Sequence, residues 1–291
     1  MNDGRDPCPR RVRGEDLPCG ILQGIRWSRR VILHVPGDPI LHICLSPAAG
    51  MIFRCFLITF LLIPAVLAES GAELYASGDY TGAISVFEQD LGRDTASRAQ
   101  ILNNIGTCYV ALGEPEKALS YYTQAVGSDI SYGRGWINLG VVQERLGKKD
   151  EALASYDQAG VSDPAFFAEA MVKKGSLLTS EGDTDKALLV FRQAEPKAAG
   201  QVFVDLYTGI GAVEFIRKNT DAAEEAFLKA TEADPDGAAL AFTNLGVLRI
   251  SQGRYADAKI LLETAARNDR AGQTNANEYL KKLAAMAGEG S

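Results

Sequence analysis

The sequence predicts an all-α fold, a solenoid of about six stacked helix-turn-helix units with a further helix closing its C-terminal end. Three observations carry that expectation. A glycine returns at Gly71, Gly106, Gly140, Gly175, Gly211 and Gly246, at intervals of 35, 34, 35, 36 and 35 residues. Twelve residues after each stands an alanine (Ala83, Ala118, Ala152, Ala187, Ala223, Ala258), and four residues later a bulky apolar residue (Phe87, Tyr122, Tyr156, Phe191, Phe227, Leu262). Within a unit the periodicity is helical: Leu102, Ile105, Gly106 and Tyr109 fall at i, i+3, i+4 and i+7. Repetition at this length marks supersecondary units that bury their apolar faces against one another. The alanine intervals match the glycine intervals, so each change of length falls in a connection between units.

Each unit opens with the helix that carries the glycine. Its turn is marked by Gly78, Gly113, Gly147, Gly182 or Gly253, a residue that takes the left-handed C-terminal cap without a Cβ penalty. The fifth unit has Lys218 there, which predicts a strained or differently shaped turn. A second helix follows, in the second unit from about Pro115 to Val126, with Pro115 in the first turn, where a missing N–H costs little. Two helices approach closely where one contributes Gly or Ala. Ala125, Ala159, Ala194, Ala230 and Ala265 therefore admit the first helix of the following unit. Asp163-Pro164 and Asp234-Pro235 end the second helices of units three and five. Unit one has Asp90 where the others have alanine and begins close behind an apolar segment, so its first helix is expected to be truncated and to cap the N-terminal end. After the last unit, Tyr279, Leu280, Leu283 and Ala287 form an apolar stripe opposite Glu278, Lys281 and Lys282, as a capping helix requires.

These residues resemble the tetratricopeptide repeat, W-x2-L-G-x2-Y followed by A-x3-F, a second alanine and a proline. Unit three matches best, with Trp136, Leu139, Gly140, Ala152, Tyr156, Ala159 and Pro164, although Gln143 stands at the tyrosine place. Unit four departs furthest in its first helix, with Met171, Lys174 and Leu178 at the Trp, Leu and Tyr places. The resemblance implies a right-handed superhelix whose first helices line a concave groove, and a role in recognising a peptide or helix of a partner protein. The family's clamp for chaperone tails needs lysines that do not accompany Asn104, Asn138 and Asn244, so that specificity is not carried over.

The chain divides into four expected segments: 1–50, 51–68, the six repeats over 69–270, and a capping helix and tail over 271–291. From Met51 the chain has a short basic start, an apolar run from Cys55 to Leu67 and small residues before Glu69, which together form a secretory signal peptide with cleavage after Ala68. The alternative is an uncleaved membrane anchor, although the run is shorter than a spanning helix and contains Pro64. Residues 1–50 are rich in Arg and Pro and sit awkwardly before a signal, which reads Met51 as the true start and the leader as non-native or disordered. The expected location is outside the membrane: secreted, periplasmic or in the cell envelope.

Beyond Ala68 the chain keeps 22 Lys and Arg against 32 Asp and Glu, a net charge of −10. Nucleic acid and anionic lipid call for a positive footprint and are disfavoured. Membrane contact is expected only through residues 51–68, if they are retained. Lys148-Lys149 and Lys173-Lys174 read as solvated helix faces. His34, His42 and four of the five cysteines precede Glu69, leaving Cys108 alone, next to Tyr109 and expected to be packed. The repeats thus lack the commonest general base and metal ligand, and no phosphate-binding glycine loop occurs. No cofactor, metal or catalytic residue is expected; an enzyme is the least favoured class.

The residues flanking the packing stripe of the first helices are the candidate partner-binding set: Asn103, Thr107, Arg134, Ile137, Val141 and Arg145 towards one end, and Thr208, Phe215, Ile216, Thr243 and Ile250 towards the other. On this reading Phe215, Ile216 and Ile250 hold an apolar anchor while Arg134 and Arg145 meet an acidic group. The alternative is that Phe215 and Ile216 pack against a neighbouring unit. The leading expectation is an exported, non-enzymatic scaffold or adaptor that holds a protein or peptide in the groove; the alternative is a self-associating assembly platform tethered to the membrane.

Overall fold

The computed structural model describes residues 70–93, 97–270 and 272–288, so the expectations for 1–50 and for the signal over 51–68 lie outside the described residues, as does the side chain of Ala287. Among the described residues there are thirteen α-helices and no strand. Six hairpins follow one another: α1 (Gly71–Ser77) with α2 (Tyr80–Arg93), α3 (Arg98–Ala111) with α4 (Pro115–Ser128), and α5 (Gly133–Arg145) with α6 (Lys149–Ser162). Then come α7 (Phe167–Ser180) with α8 (Thr184–Ala194), α9 (Gln201–Ile216) with α10 (Thr220–Ala233), and α11 (Ala239–Ser251) with α12 (Tyr255–Asn268). A single helix, α13 (Ala276–Gly288), packs on α12.

The small-against-large pattern is the physical basis of every hairpin. A Cβ added to Gly106 would lie 2.7 Å from the Tyr122 ring, one on Gly140 2.5 Å from Tyr156, and one on Gly211 2.5 Å from Phe227. Each aromatic of the second helix thus rests on bare backbone of the first. The alanines twelve residues on, and Ala125, Ala159, Ala194, Ala230 and Ala265 after them, have no exposed surface. First helices also meet the first helix of the next unit: α3 lies against α5, and α7, α9 and α11 stand in one row.

Local chemistry ends the helices where the sequence requires. Ser70 caps α1 reciprocally: the Glu73 amide donates to Ser70 Oγ at 3.2 Å and the Ser70 amide to Glu73 Oε2 at 2.7 Å. Pro115 is the first residue of α4. Asp163 stops α6 and accepts the Ala165 amide at 3.0 Å, starting a 3-10 turn at Pro164–Phe166. In the fifth hairpin Lys218 adopts φ 63°, close to the 75° of Gly113. Its amide donates to Phe215 O at 3.0 Å and the Asn219 amide to Glu214 O at 2.9 Å, the pattern that Gly113 and Glu114 make with Val110 and Tyr109. The turn keeps its shape, and a lysine carries the left-handed strain.

The junction between units four and five departs most from the repeat. Here α8 has only 11 residues and passes into a 3-10 turn over Glu195–Lys197. Gly209 brings α9 onto the ring of Phe191, which also lies against Gly175, so one aromatic is held between two glycines of successive units. Tyr207 donates its hydroxyl to Glu195 Oε1 at 2.5 Å and ties the turn to α9.

Candidate functional site

The row of first helices opens into a cleft of about 380 Å³ that crosses α7, α9 and α11. Helix α7 supplies Val172, Lys173, Ser176 and Thr179; α9 supplies Val204, Thr208, Gly209 and Ala212; α11 supplies Leu240, Ala241 and Asn244. Gln201 and Asp205 stand at one edge and Gln273, ahead of α13, at another. Gly209, Ala212 and Ala241 are the small residues that α9 and α11 turn towards it.

The polar groups of the cleft divide into engaged and open ones. Thr208 Oγ1 donates to Val204 O at 2.7 Å, Thr179 Oγ1 to Gly175 O at 2.8 Å and Ser176 Oγ to Val172 O at 3.0 Å, so these hydroxyls spend their protons inside their own helices and can still accept. Gln201 Nε2 donates to Asp205 Oδ1 at 2.9 Å. Lys174 is held by both oxygens of Asp157, at 2.6 and 2.8 Å. Lys173, its neighbour, has no ion pair or hydrogen bond to its ammonium among the described residues, and neither has the side-chain amide of Asn244.

The residues singled out from sequence fall into three groups. Some are packed. Ile137 is in the core, Phe215 lies against Phe227, Leu245 and Leu248, and Ile250 against Leu262, Ala265 and Ala276. Some are polar groups already engaged within the protein. Asn103 accepts from Asn138 Nδ2 at 2.8 Å, Thr107 donates to Asn103 O at 3.0 Å and lies 3.1 Å from the Tyr122 hydroxyl, and Thr243 donates to Ala239 O at 2.9 Å. Arg134 is bound to Glu169 Oε1 at 2.6 Å with its guanidinium 4.6 Å from the centre of the Phe166 ring. The open ones are Arg145, Val141, 43% exposed, and Ile216, 54% exposed. Thr208 alone of the set lines the cleft. Lys173 and Asn244 were missed, although both stand two residues before the repeat glycine, where Asn104 and Asn138 also stand; that shared register was the available signal.

Chemistry elsewhere is quiet. Cys108 is fully buried and desolvation pushes its thiol up, away from the reactive thiolate. Burial, with Glu144 accepting its proton at 3.0 Å, pushes the Tyr156 phenol far up. Among the described residues, no group of three or more His, Cys, Asp and Glu comes together to hold a metal. Two larger hollows, of about 660 Å³ between α12 and α13 and about 610 Å³ beside α8 and α9, each lie at a single junction. The smaller cleft is the better candidate because three units build it and it joins apolar walls to open polar groups.

Family models described as tetratricopeptide repeat match residues 76–131 with one model, and 109–165, 137–202 and 217–276 with another. Among solved structures, the chain is similar to one in the APC/C hetero-tetramer Cut9-Hcn1, at 18% identity and a TM-score of 0.60 over 75% of this chain and 42% of that one. It therefore spans less than half of that chain's length. It is also similar to PilW, described as a widely conserved type IV pilus biogenesis factor, at 18% identity and a TM-score of 0.55 over 65% of this chain and 86% of that one. At such identity the likeness is one of fold. No curated protein matches the sequence.

Proposed function

Because the chain belongs to the tetratricopeptide repeat family, we propose that it is a non-enzymatic scaffold or adaptor that holds a protein partner by a peptide or helix laid against its first helices. The observation that carries this reading is the cleft that crosses α7, α9 and α11. A surface assembled from three successive units has the length to read a chain segment, and it offers apolar contact together with unspent hydrogen-bonding groups. The rest of the candidate set contributes less: with Phe215 and Ile250 packed and Arg134 already paired, only Val141, Arg145 and Ile216 add open contact along the row.

An exported scaffold is the second part of the proposal, and residues 51–68, read as a signal, support it. The role of PilW in type IV pilus biogenesis is compatible with work in the envelope. N-terminal sequencing of the protein from its source tests this part: a chain starting at Glu69 is expected, and a peptide from the Arg10–Arg30 region would overturn the assignment of Met51 as the start.

For the binding role, Ser176→Trp is the test. Ser176 is exposed and its hydroxyl bonds only within its own helix, so an indole there fills the cleft without entering the core. Crosslinking in the source envelope followed by mass spectrometry is expected to recover a partner with the wild-type chain and to lose it with S176W, at an unchanged Tm. Recovery of the same partner by both chains would remove the cleft from the binding surface.

A further inference from the structure

We infer that the hollow between α12 and α13 is a second docking surface, distinct from the cleft and independent of it, which takes an α-helix of a partner protein with acidic residues beside its apolar stripe.

The six hairpins define what is missing here. Each of α3, α5, α7, α9 and α11 is covered by two second helices, its own and that of the unit before, whereas α13 packs on α12. The register of α13 continues the repeat. Leu280 follows Ala265 by fifteen residues, as Gly140 follows Ala125, and Ala276 is buried with Leu262 and Ala265. In every hairpin the glycine at this place meets an aromatic ring or leucine of its own second helix. The residue four further on faces that helix too: Glu144 accepts the Tyr156 hydroxyl, Phe215 lies with Phe227 and Ile250 with Leu262. In α13 these two places are Leu280 and Ala284, and both line the hollow of about 660 Å³, with Tyr255, Lys259, Leu283 and Met286 around them. The hollow therefore lies where a second helix would pack on α13. From Leu280 to Met286 is roughly 9 Å along the axis, so about two turns of an occupant cover it. With leucine in place of glycine the small-against-large contact is reversed, and the occupant must bring the small residue.

Charge decides between a foreign helix and a second copy. Lys259 of α12 lines the hollow, and Lys281, one turn before Ala284, is exposed and has no ion pair among the described residues. Of the carboxylates nearby, Glu278 is held by Lys282 at 2.7 Å and Asp257 by Arg254 at 2.5 Å, while Glu263 stands 3.9 Å from Lys259. With Arg254 and Asp257 cancelling, three ammoniums stand against two carboxylates, a positive edge on repeats that are acidic as a whole. A helix lying between Lys259 and Lys281 gains from Asp or Glu beside its apolar stripe. A second copy laying its own α13 here would set these lysines against their counterparts, like charge on like.

Selection by the full chain from phage-displayed random peptides of about sixteen residues, long enough to form a helix on binding, tests this. Ala284 is exposed, so Ala284→Trp fills the hollow without entering the core and serves as the control. The wild type is expected to enrich peptides with apolar residues at i, i+4 and i+7, Ala, Gly or Ser at one fixed place in that stripe, and Asp or Glu beside it. Their binding should be lost on A284W and kept on S176W, which separates this surface from the cleft. The doubly substituted K259E/K281E chain should bind such a peptide roughly tenfold more weakly and enrich Lys or Arg at the flanks. An unchanged acidic preference on K259E/K281E would overturn the role of the lysines, and a consensus with proline inside it would overturn the helix. No enrichment beyond that of A284W would overturn the docking surface itself. A dimer in sedimentation velocity that A284W abolishes would give the hollow to a second copy instead.

Discussion

Lys218 holds the one left-handed non-glycine backbone among the described residues, at φ 63°, and does so in a turn whose five equivalents are glycines. Its Cβ is crowded by the neighbouring carbonyl, and the hydrogen bonds of the turn keep it there. Lys218→Gly removes that strain at the cost of a more flexible unfolded chain. A gain of roughly 0.5–1 kcal/mol is expected, seen as a higher midpoint in urea with an unchanged slope. A loss would mean that the exposed lysine chain itself stabilises the turn. The position was legible in the sequence as an exception to the repeat. Its outcome was not: whether a non-glycine residue bends the turn or bears the strain depends on the helices around it, here α9 and α10.

At the scale of elements, Arg249 takes the place on α11 that the repeat pattern gives to a tyrosine, and joins α11 to α10. It is 7% exposed and makes two bonds of 2.5 Å to the oxygens of Glu224, with a third of 2.8 Å to Gln252. These bonds hold the Glu224 carboxyl below its usual value of 4.5. A depressed carboxylate stabilises the fold fully above its unfolded value, and that contribution fades as pH falls through the folded one. Arg249→Met should therefore cost about 2 kcal/mol at pH 7, a figure reduced because Glu224 is partly solvated. The gap in Tm between wild type and R249M should narrow as pH drops from 7 to about 3; a gap that stayed constant would mean the loss is one of packing. The pairing of helices was legible from the Gly and Ala spacing because small-against-large contact has a fixed period. The binding face was not, because flanking positions on one helix differ by whether the neighbouring unit covers them. Ile137 and Thr243 were read as lining and are covered, while Lys173 was read as a solvated face and opens into the cleft.

Across the repeats as a whole, the apolar contacts of the described residues do not gather in one centre. The largest buried cluster runs from Ile137 to Ala241, and smaller ones lie around Ile105 towards the N-terminal end and Leu262 towards the C-terminal end. Stability in such a string comes from each unit and its contacts with the next, so damage should stay near the place where it is done. Phe191 is the sharpest place to test this, since its fully buried ring is pressed between Gly175 of α7 and Gly209 of α9 and so links units four and five. Phe191→Ala should destabilise that link by roughly 3–5 kcal/mol. Hydrogen exchange followed by mass spectrometry is the measurement, because it reads each helix separately. In F191A, peptides from α7 to α10 should lose protection by orders of magnitude, while those from α3 and α4, two units away, keep most of theirs. A uniform loss across all thirteen helices would mean that the repeats fold as one cooperative body, and that the unit-by-unit account of their stability fails.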